Sequence, residues 1–179
     1  MDTIEAIRKR ASYRGAYTDQ SVPREDLERI AEAGLIAPSG HNGQSTSFVI
    51  VTDPGLLGEL VSITSGKECL KTAKAIIVVV MDPHATDDKE FAFGVEDYAA
   101  ATENMLLAIT SMGYASVWLD GELRRNDVAA RIGALLGVPP EREVRVLLPV
   151  GVPAEEPRQR PKRGFGERAW FERFGGEAR

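Results

Sequence analysis

One cysteine in 179 residues, Cys69, is all the thiol chemistry this chain has. A lone cysteine closes no intramolecular disulfide, so nothing in the sequence asks for an oxidising compartment. Beside Leu70 and with no histidine near it, Cys69 reads as a small buried hydrophobe. Histidine is almost as scarce. His41 and His84 are the only two, and they make no H-x-x-x-H spacing with a carboxylate of the kind zinc uses, so no metal site is expected. Also missing are a Gly-x-Ser-x-Gly elbow, a Gly-x-x-x-x-Gly-Lys-Ser/Thr loop and a Gly-x-Gly-x-x-Gly following a strand. Neither a P-loop nor a Rossmann site is indicated, and no serine has the elbow of an α/β-hydrolase. No apolar run reaches bilayer length. Met1-Asp2-Thr3-Ile4-Glu5 carries acids where a signal peptide carries cations. A cytoplasmic protein with no membrane contact is the expectation.

Positive charge is outnumbered too, with 22 Lys and Arg against 27 Asp and Glu for a net charge of −5. The cations form local groups near the two ends rather than one stripe, which argues against nucleic acid as a partner. In that setting Arg8-Lys9-Arg10-Ala11-Ser12-Tyr13-Arg14 stands out. Arg10, Ser12 and Arg14 alternate, so an extended backbone points all three to one side. Two guanidinium forks and a hydroxyl match the oxygens of a phosphate ester. The same run also reads as a solvated basic helix end, and charge alone does not separate the two.

The rest is ordinary globular composition, with 43% hydrophobic and 27% charged residues. The length suits a single domain over 1–179, with 153–179 as a proline-punctuated arm. Helices are expected over Thr3 to Lys9, with Ile4 and Ile7 on one face, and from Pro23 to before Pro38 with Leu27, Ile30, Ala31, Gly34 and Leu35 as its stripe. Ser47 to Thr52 reads as a first strand, and Asp53-Pro54 opens a helix through Ile63. Ala75 to Met81 reads as a strand covered on both faces, and Asp82 to Lys89 as a polar loop. Phe91 to Met112 is a long central helix ended by Gly113. Tyr114 to Leu119 is a third strand, Arg124 to Leu136 a helix closed by Gly137, and Glu143 to Val150 a fourth strand. Trp170, Phe171 and Phe174 are costly to leave in water, so the arm is expected to pack on something.

Arg10-x-Ser12-x-Arg14, followed by Ala37-Pro38-Ser39-x-x-Asn42-x-Gln44-x-x-x-Phe48-Val49-Ile50-Val51, resembles the nitroreductase family of FMN-dependent oxidoreductases. The likeness continues through the Ala99 to Gly113 helix, Trp118-Leu119-Asp120-Gly121, Leu135-Leu136-Gly137-Val138-Pro139, Leu148-Pro149-Val150-Gly151 and the basic residues Arg160 to Arg163. It implies an α+β fold with a central, mainly antiparallel sheet flanked by helices, and a homodimer whose C-terminal arm packs on the partner. It also implies FMN as cofactor, NAD(P)H as electron donor and a small organic acceptor such as a nitro compound or quinone, served in ping-pong order.

Carried over by position, Arg10 and Ser12 with Arg163 would hold the FMN phosphate, Arg160 or Lys162 being the other candidates in the tail. Arg14 would lie near N1 and O2 of the ring, where a cation raises the reduction potential. Pro38, Ser39, Gly40 and Asn42 would line the flavin from the other subunit. The backbone of Asp120 and Gly121 would approach N5, and Lys67 or Lys71 would add a contact. No side chain is expected to act as acid or base. Bland readings stand beside these: Ser39 and Asn42 as turn residues, Trp118 as a core aromatic, Asp120 as a helix cap. Ser45-Thr46 replaces the family's usual Pro-Trp, and Pro161 stands where a second cation often lies. The segments around the second strand are short, which bears on the substrate more than on the cofactor. A superfamily member with a dedicated substrate, such as a dehalogenase or a flavin- or ring-oxidising enzyme, and a non-catalytic flavin-binding protein are the alternatives.

Overall fold

The computed structural model describes residues 1–85 and 92–176. The element order is α1 (Thr3–Lys9), α2 (Arg24–Leu35), a 3₁₀ turn (Gly40–Asn42), β1 (Thr46–Val51), α3 (Pro54–Ile63), α4 (Glu68–Lys71), β2 (Ala75–Met81), α5 (Gly94–Ser111), α6 (Val128–Leu136), β3 (Glu143–Val150) and α7 (Phe165–Arg168).

The sheet runs β1-β2-β3 and both pairings are antiparallel. Its middle strand, Ala75 to Met81, is all aliphatic and wholly buried. Period-two alternation then sorts β2 between two cores. Ile76, Val78 and Val80 face the cluster holding Leu60, Leu70 and Ile132, from the α3, α4 and α6 side. Ala75, Ile77, Val79 and Met81 face the cluster holding Leu27, Ile30, Met105 and Ile109, from α2 and α5. Helices therefore cover both faces of an antiparallel sheet, the expected α+β class.

Local chemistry explains several helix ends. Asp2 caps α1 by accepting from the Glu5 N–H at 2.8 Å. Asp53 caps α3 through the Leu56 N–H at 2.9 Å, with Pro54 in the first turn where its missing N–H costs nothing. Gly113 and Gly137 follow α5 and α6 in left-handed geometry, φ 85° and 68°.

Several elements differ from expectation for physical reasons. The expected third strand, Tyr114 to Leu119, is present only as bridges from Ala115 to Gly151 and from Leu119 to Leu147 on one side, with Ser116 bridged to Ser12 on the other. Those two bridges share one register, which sets Val117 opposite Pro149. A proline has no N–H to give, so the middle rung of the ladder fails. The helix expected from Arg124 begins at Val128, because Asn126 and Asp127 hold left-handed φ values of 50° and 54°. The central helix begins at Gly94; its expected first residue, Phe91, and residues 86–89 of the expected polar loop lie outside the described residues. In α1 the expected apolar face is open: Ile4 and Ile7 are exposed while Ala6 is buried.

Candidate functional site

The basic run leaves α1 in extended form. Ala11 and Tyr13 turn inward and are buried, while Ser12 and Arg14 turn outward, and Tyr13 is fixed by its N–H donating to the Ser116 carbonyl at 2.9 Å. The alternation thus places Arg10, Ser12 and Arg14 on one side, lining a cleft of about 370 Å³ with Arg158, Gln159, Arg160 and Lys162 of the tail. Gln159 secures the tail there by donating to the Arg10 carbonyl at 2.8 Å. Five cations and no acid line this cleft. Among the described residues, Glu103 of α5, 3.4 Å from the Arg10 guanidinium, is the one carboxylate paired with them. In a chain with net negative charge, a cationic cleft of this kind suits a dianionic phosphate monoester. Arg163 is exposed and does not line the cleft; Arg160 and Lys162 do.

A second grouping adjoins Arg14. The Cys69 thiol is fully buried and burial pushes its pKa up, against the opposing pull of the Lys67 and Arg14 charges. Both charges act on this one thiol. Lys67 pairs with Glu122. Glu122 follows Gly121 in sequence, so the Ser65–Lys67 turn meets the Asp120–Gly121 loop. Gly121 is exposed, and a Cβ built there would meet no atom within 4 Å, so the main chain is open to close approach. The Asp120 carboxylate is engaged by Arg124 at 2.8 Å. It does not cap α6, whose N-cap position is Asp127. Trp118 is half-buried with its ring 6.1 Å from that of Tyr98.

The loop from Pro38 to Gln44 forms a third grouping. His41, Asn42 and Gln44 hold left-handed φ values of 50°, 56° and 48°, a conformation that costs a non-glycine residue of order 1–3 kcal/mol. Asp97, buried at 6% exposure near the start of α5, holds the loop in that shape. Its carboxylate accepts from the Gly40 N–H at 2.8 Å and from the Ser45 hydroxyl at 2.6 Å, clamping both ends. Ser39 adds an internal tie, its hydroxyl accepting from the Gln44 N–H at 3.1 Å. Gly40 is needed because a Cβ there would lie 2.1 Å from the Phe93 ring. Pro38 and Ser39 line a small cavity of about 240 Å³ with Asp97 and Thr46.

The structure thus brings Arg10, Ser12 and Arg14 to the tail, and Lys67 to Gly121, within one chain. The Pro38–Asn42 loop shares no lining residue with the basic cleft. Asp97 and Glu103 engage the two groups from α5, and six residues of helix is about one and two-thirds turns, so they leave it on different faces. A larger cavity of about 600 Å³ lies between α6 and the start of β3. Its arginines are already matched: Arg124 with Asp120, Arg142 with Asp82 and Arg145 with Glu143. The uncompensated charge is in the cleft. Asp97, Glu103, Glu122 and Gln159 were not expected from the sequence. Only Asp97 left a local signal, a carboxylate in i+4 register with the buried Ala101 and Met105.

A family model for the nitroreductase family matches residues 7–63 and 58–152. The chain belongs to the nitroreductase family. It is an oxidoreductase that uses FMN and NAD(P)H. Among relatives, it is 34% identical over 155 residues to an Archaeoglobus fulgidus protein carrying the name NADH dehydrogenase/NAD(P)H nitroreductase, with 87% of each chain covered. It is 30% identical over 171 residues to the NADPH-flavin oxidoreductase of Vibrio harveyi, covering 90% of this chain and 70% of that one. A nitroreductase-type protein of Desulfovibrio desulfuricans, solved in complex with FMN, superposes with a TM-score of 0.83 at 32% identity over 97% of this chain and 98% of that one. Among the described residues, no helix is long and apolar enough to cross a membrane.

Proposed function

We propose that this nitroreductase-family protein passes reducing equivalents from NAD(P)H to a small organic acceptor, a nitro compound, a quinone or a similar molecule, in ping-pong order. The observation that carries the cofactor half of this reading is the cleft of five cations with no lining acid. Arg10 and Ser12 hold the FMN phosphate together with tail cations, for which Arg160, Lys162 and Arg163 are available. Arg14 and Lys67 face the electron-poor side of the ring, and the Asp120–Gly121 backbone stands at its reactive edge. When bound, the flavin supplies the hydride-accepting and hydride-donating centre. The chain's own work is to hold, orient and shield, so no side chain has to gain or lose a proton.

The working unit in this reading is a homodimer in the cytoplasm. Each chain is one domain, residues 1–179, with 153–179 as an arm laid on the partner, and the Pro38, Ser39, Gly40 and Asn42 loop completes the partner's flavin site. Supporting this are the large side chains left in water by one chain: Ile4, Ile7, Leu35, Ile36, Val95, Phe165, Phe171 and Phe174, with Phe174 at 91% exposure. So many open apolar groups mark a surface that is covered in use. The separation of loop from cleft within one chain points the same way.

The test is an FMN titration followed by steady-state kinetics. Arg10→Ala removes a charge-assisted bond, so FMN binding weakens by about 1.5–3 kcal/mol. Unchanged affinity would remove the phosphate assignment. Initial rates at varied NAD(P)H and acceptor give parallel double-reciprocal lines; intersecting lines would rule out the ping-pong order.

A further inference from the structure

We propose that Glu122 lowers the reduction potential of the bound flavin by neutralising Lys67, and that it pins the turn on which Lys67 sits. It is a positioning residue acting through Lys67. The proposal rests on the reading that Lys67 and the Asp120–Gly121 backbone face the flavin ring.

Both carboxylate oxygens of Glu122 are committed to the Ser65–Lys67 turn. Oε2 accepts from the Ser65 N–H at 2.8 Å, and Oε1 accepts from the Ser65 hydroxyl at 2.7 Å and pairs with the Lys67 ammonium. Lys67 in turn donates to the Ser65 hydroxyl at 3.4 Å, closing the network. The turn passes through Gly66 at φ 61°, a conformation that favours glycine. Two loops 57 residues apart are joined by this one side chain.

The pair is partly shielded, with Lys67 39% and Glu122 23% exposed, so water does not fully screen it. A lone ammonium beside an electron-accepting ring favours the reduced, more negative state. An ammonium in contact with a carboxylate presents a dipole instead, whose field falls away faster. The neighbouring Arg14 has no carboxylate partner among the described residues, whereas Lys67 does. Of the two cations that the flavin reading sets at the ring, Lys67 is thus the compensated one. The consequence is a flavin that gives up electrons to the acceptor more readily than Lys67 alone would allow.

The experiment measures the midpoint potential of the FMN-loaded full chain by equilibration with a redox dye, for wild type, Glu122→Gln, Lys67→Gln and the double variant. Glutamine keeps the shape, an acceptor oxygen for the Ser65 N–H and an amide that can donate to the Ser65 hydroxyl oxygen, so the charge is removed while the turn stays tied. Glu122→Gln raises the reduced-to-oxidised ratio at fixed dye poise at least tenfold, about 30 mV for a two-electron couple. Lys67→Gln moves the ratio the other way by a similar factor, and the double variant returns to within threefold of wild type. A ratio within twofold of wild type in Glu122→Gln, with FMN still bound, overturns the proposal while leaving the cofactor reading intact. Should Glu122→Gln fail to fold, Lys67→Gln decides alone, since an unmoved potential there overturns it equally. Wild-type protein that binds no FMN removes both readings together.

Discussion

Asp97→Ala is the substitution with the most to say about how this site is held. The carboxylate is buried and its two bonds, at 2.8 Å and 2.6 Å, clamp Gly40 and Ser45 at either end of the loop. Each bond to a charged group contributes about 1.5–3 kcal/mol, and desolvating the carboxylate offsets part of that. Removing it leaves a backbone N–H and a buried hydroxyl without a partner, at about 1–3 kcal/mol for each such group. The loop then sheds the left-handed strain of His41, Asn42 and Gln44 by relaxing, which returns part of the loss. The net expectation is a destabilisation of about 2–4 kcal/mol, at about 2–4 °C of melting temperature per kcal/mol in a chain of this size. Denaturant unfolding of wild type, Asp97→Ala, Ser45→Ala and the double variant measures it. The cycle gives a coupling of about 1 kcal/mol or more, and FMN affinity falls in Asp97→Ala. Additivity within about 0.5 kcal/mol would refute the clamp.

Other outcomes follow from the same contacts. Gly40→Ala drives a methyl into the Phe93 ring, 2.1 Å away, and costs about 1–3 kcal/mol; an unchanged melting temperature would contradict the packing. Tyr114 has its pKa pushed from 10.0 up to about 12, first by burial and then by its hydroxyl donating to Asp26 at 2.6 Å. A raised folded pKa means the neutral phenol stabilises the folded chain. That contribution is whole below about pH 10 and is lost as pH climbs toward 12. Wild type therefore loses melting temperature more steeply over that window than Tyr114→Phe does, and parallel profiles would count against it.

What could be read from the sequence was local. The alternation of Arg10, Ser12 and Arg14 is a period-two pattern that needs no partner to be seen. The aliphatic run of β2, the Asp53-Pro54 helix start and the glycines after α5 and α6 are equally self-contained. What could not be read depends on residues far apart in sequence. Asp97 finds Gly40 and Ser45 at separations of 57 and 52 residues, and Glu122 finds Ser65 at 57. The failed rung opposite Pro149 becomes visible only once the register is known. In α1 the stripe of Ile4 and Ile7 was legible, but a stripe does not say whether its cover lies in the same chain. The resemblance set a tail cation beside Arg10, but which ones line the cleft, Arg158, Arg160 and Lys162, depends on how the tail folds back.

Everything above depends on this chain binding FMN and reducing it with a nicotinamide donor. The visible spectrum of the protein as isolated, recorded anaerobically before and after addition of NADH or NADPH, tests it most directly. The expected protein is yellow, and its flavin band bleaches with at least one of the two donors. A protein that stays colourless when FMN is supplied, or a bound flavin that neither donor bleaches, would contradict it.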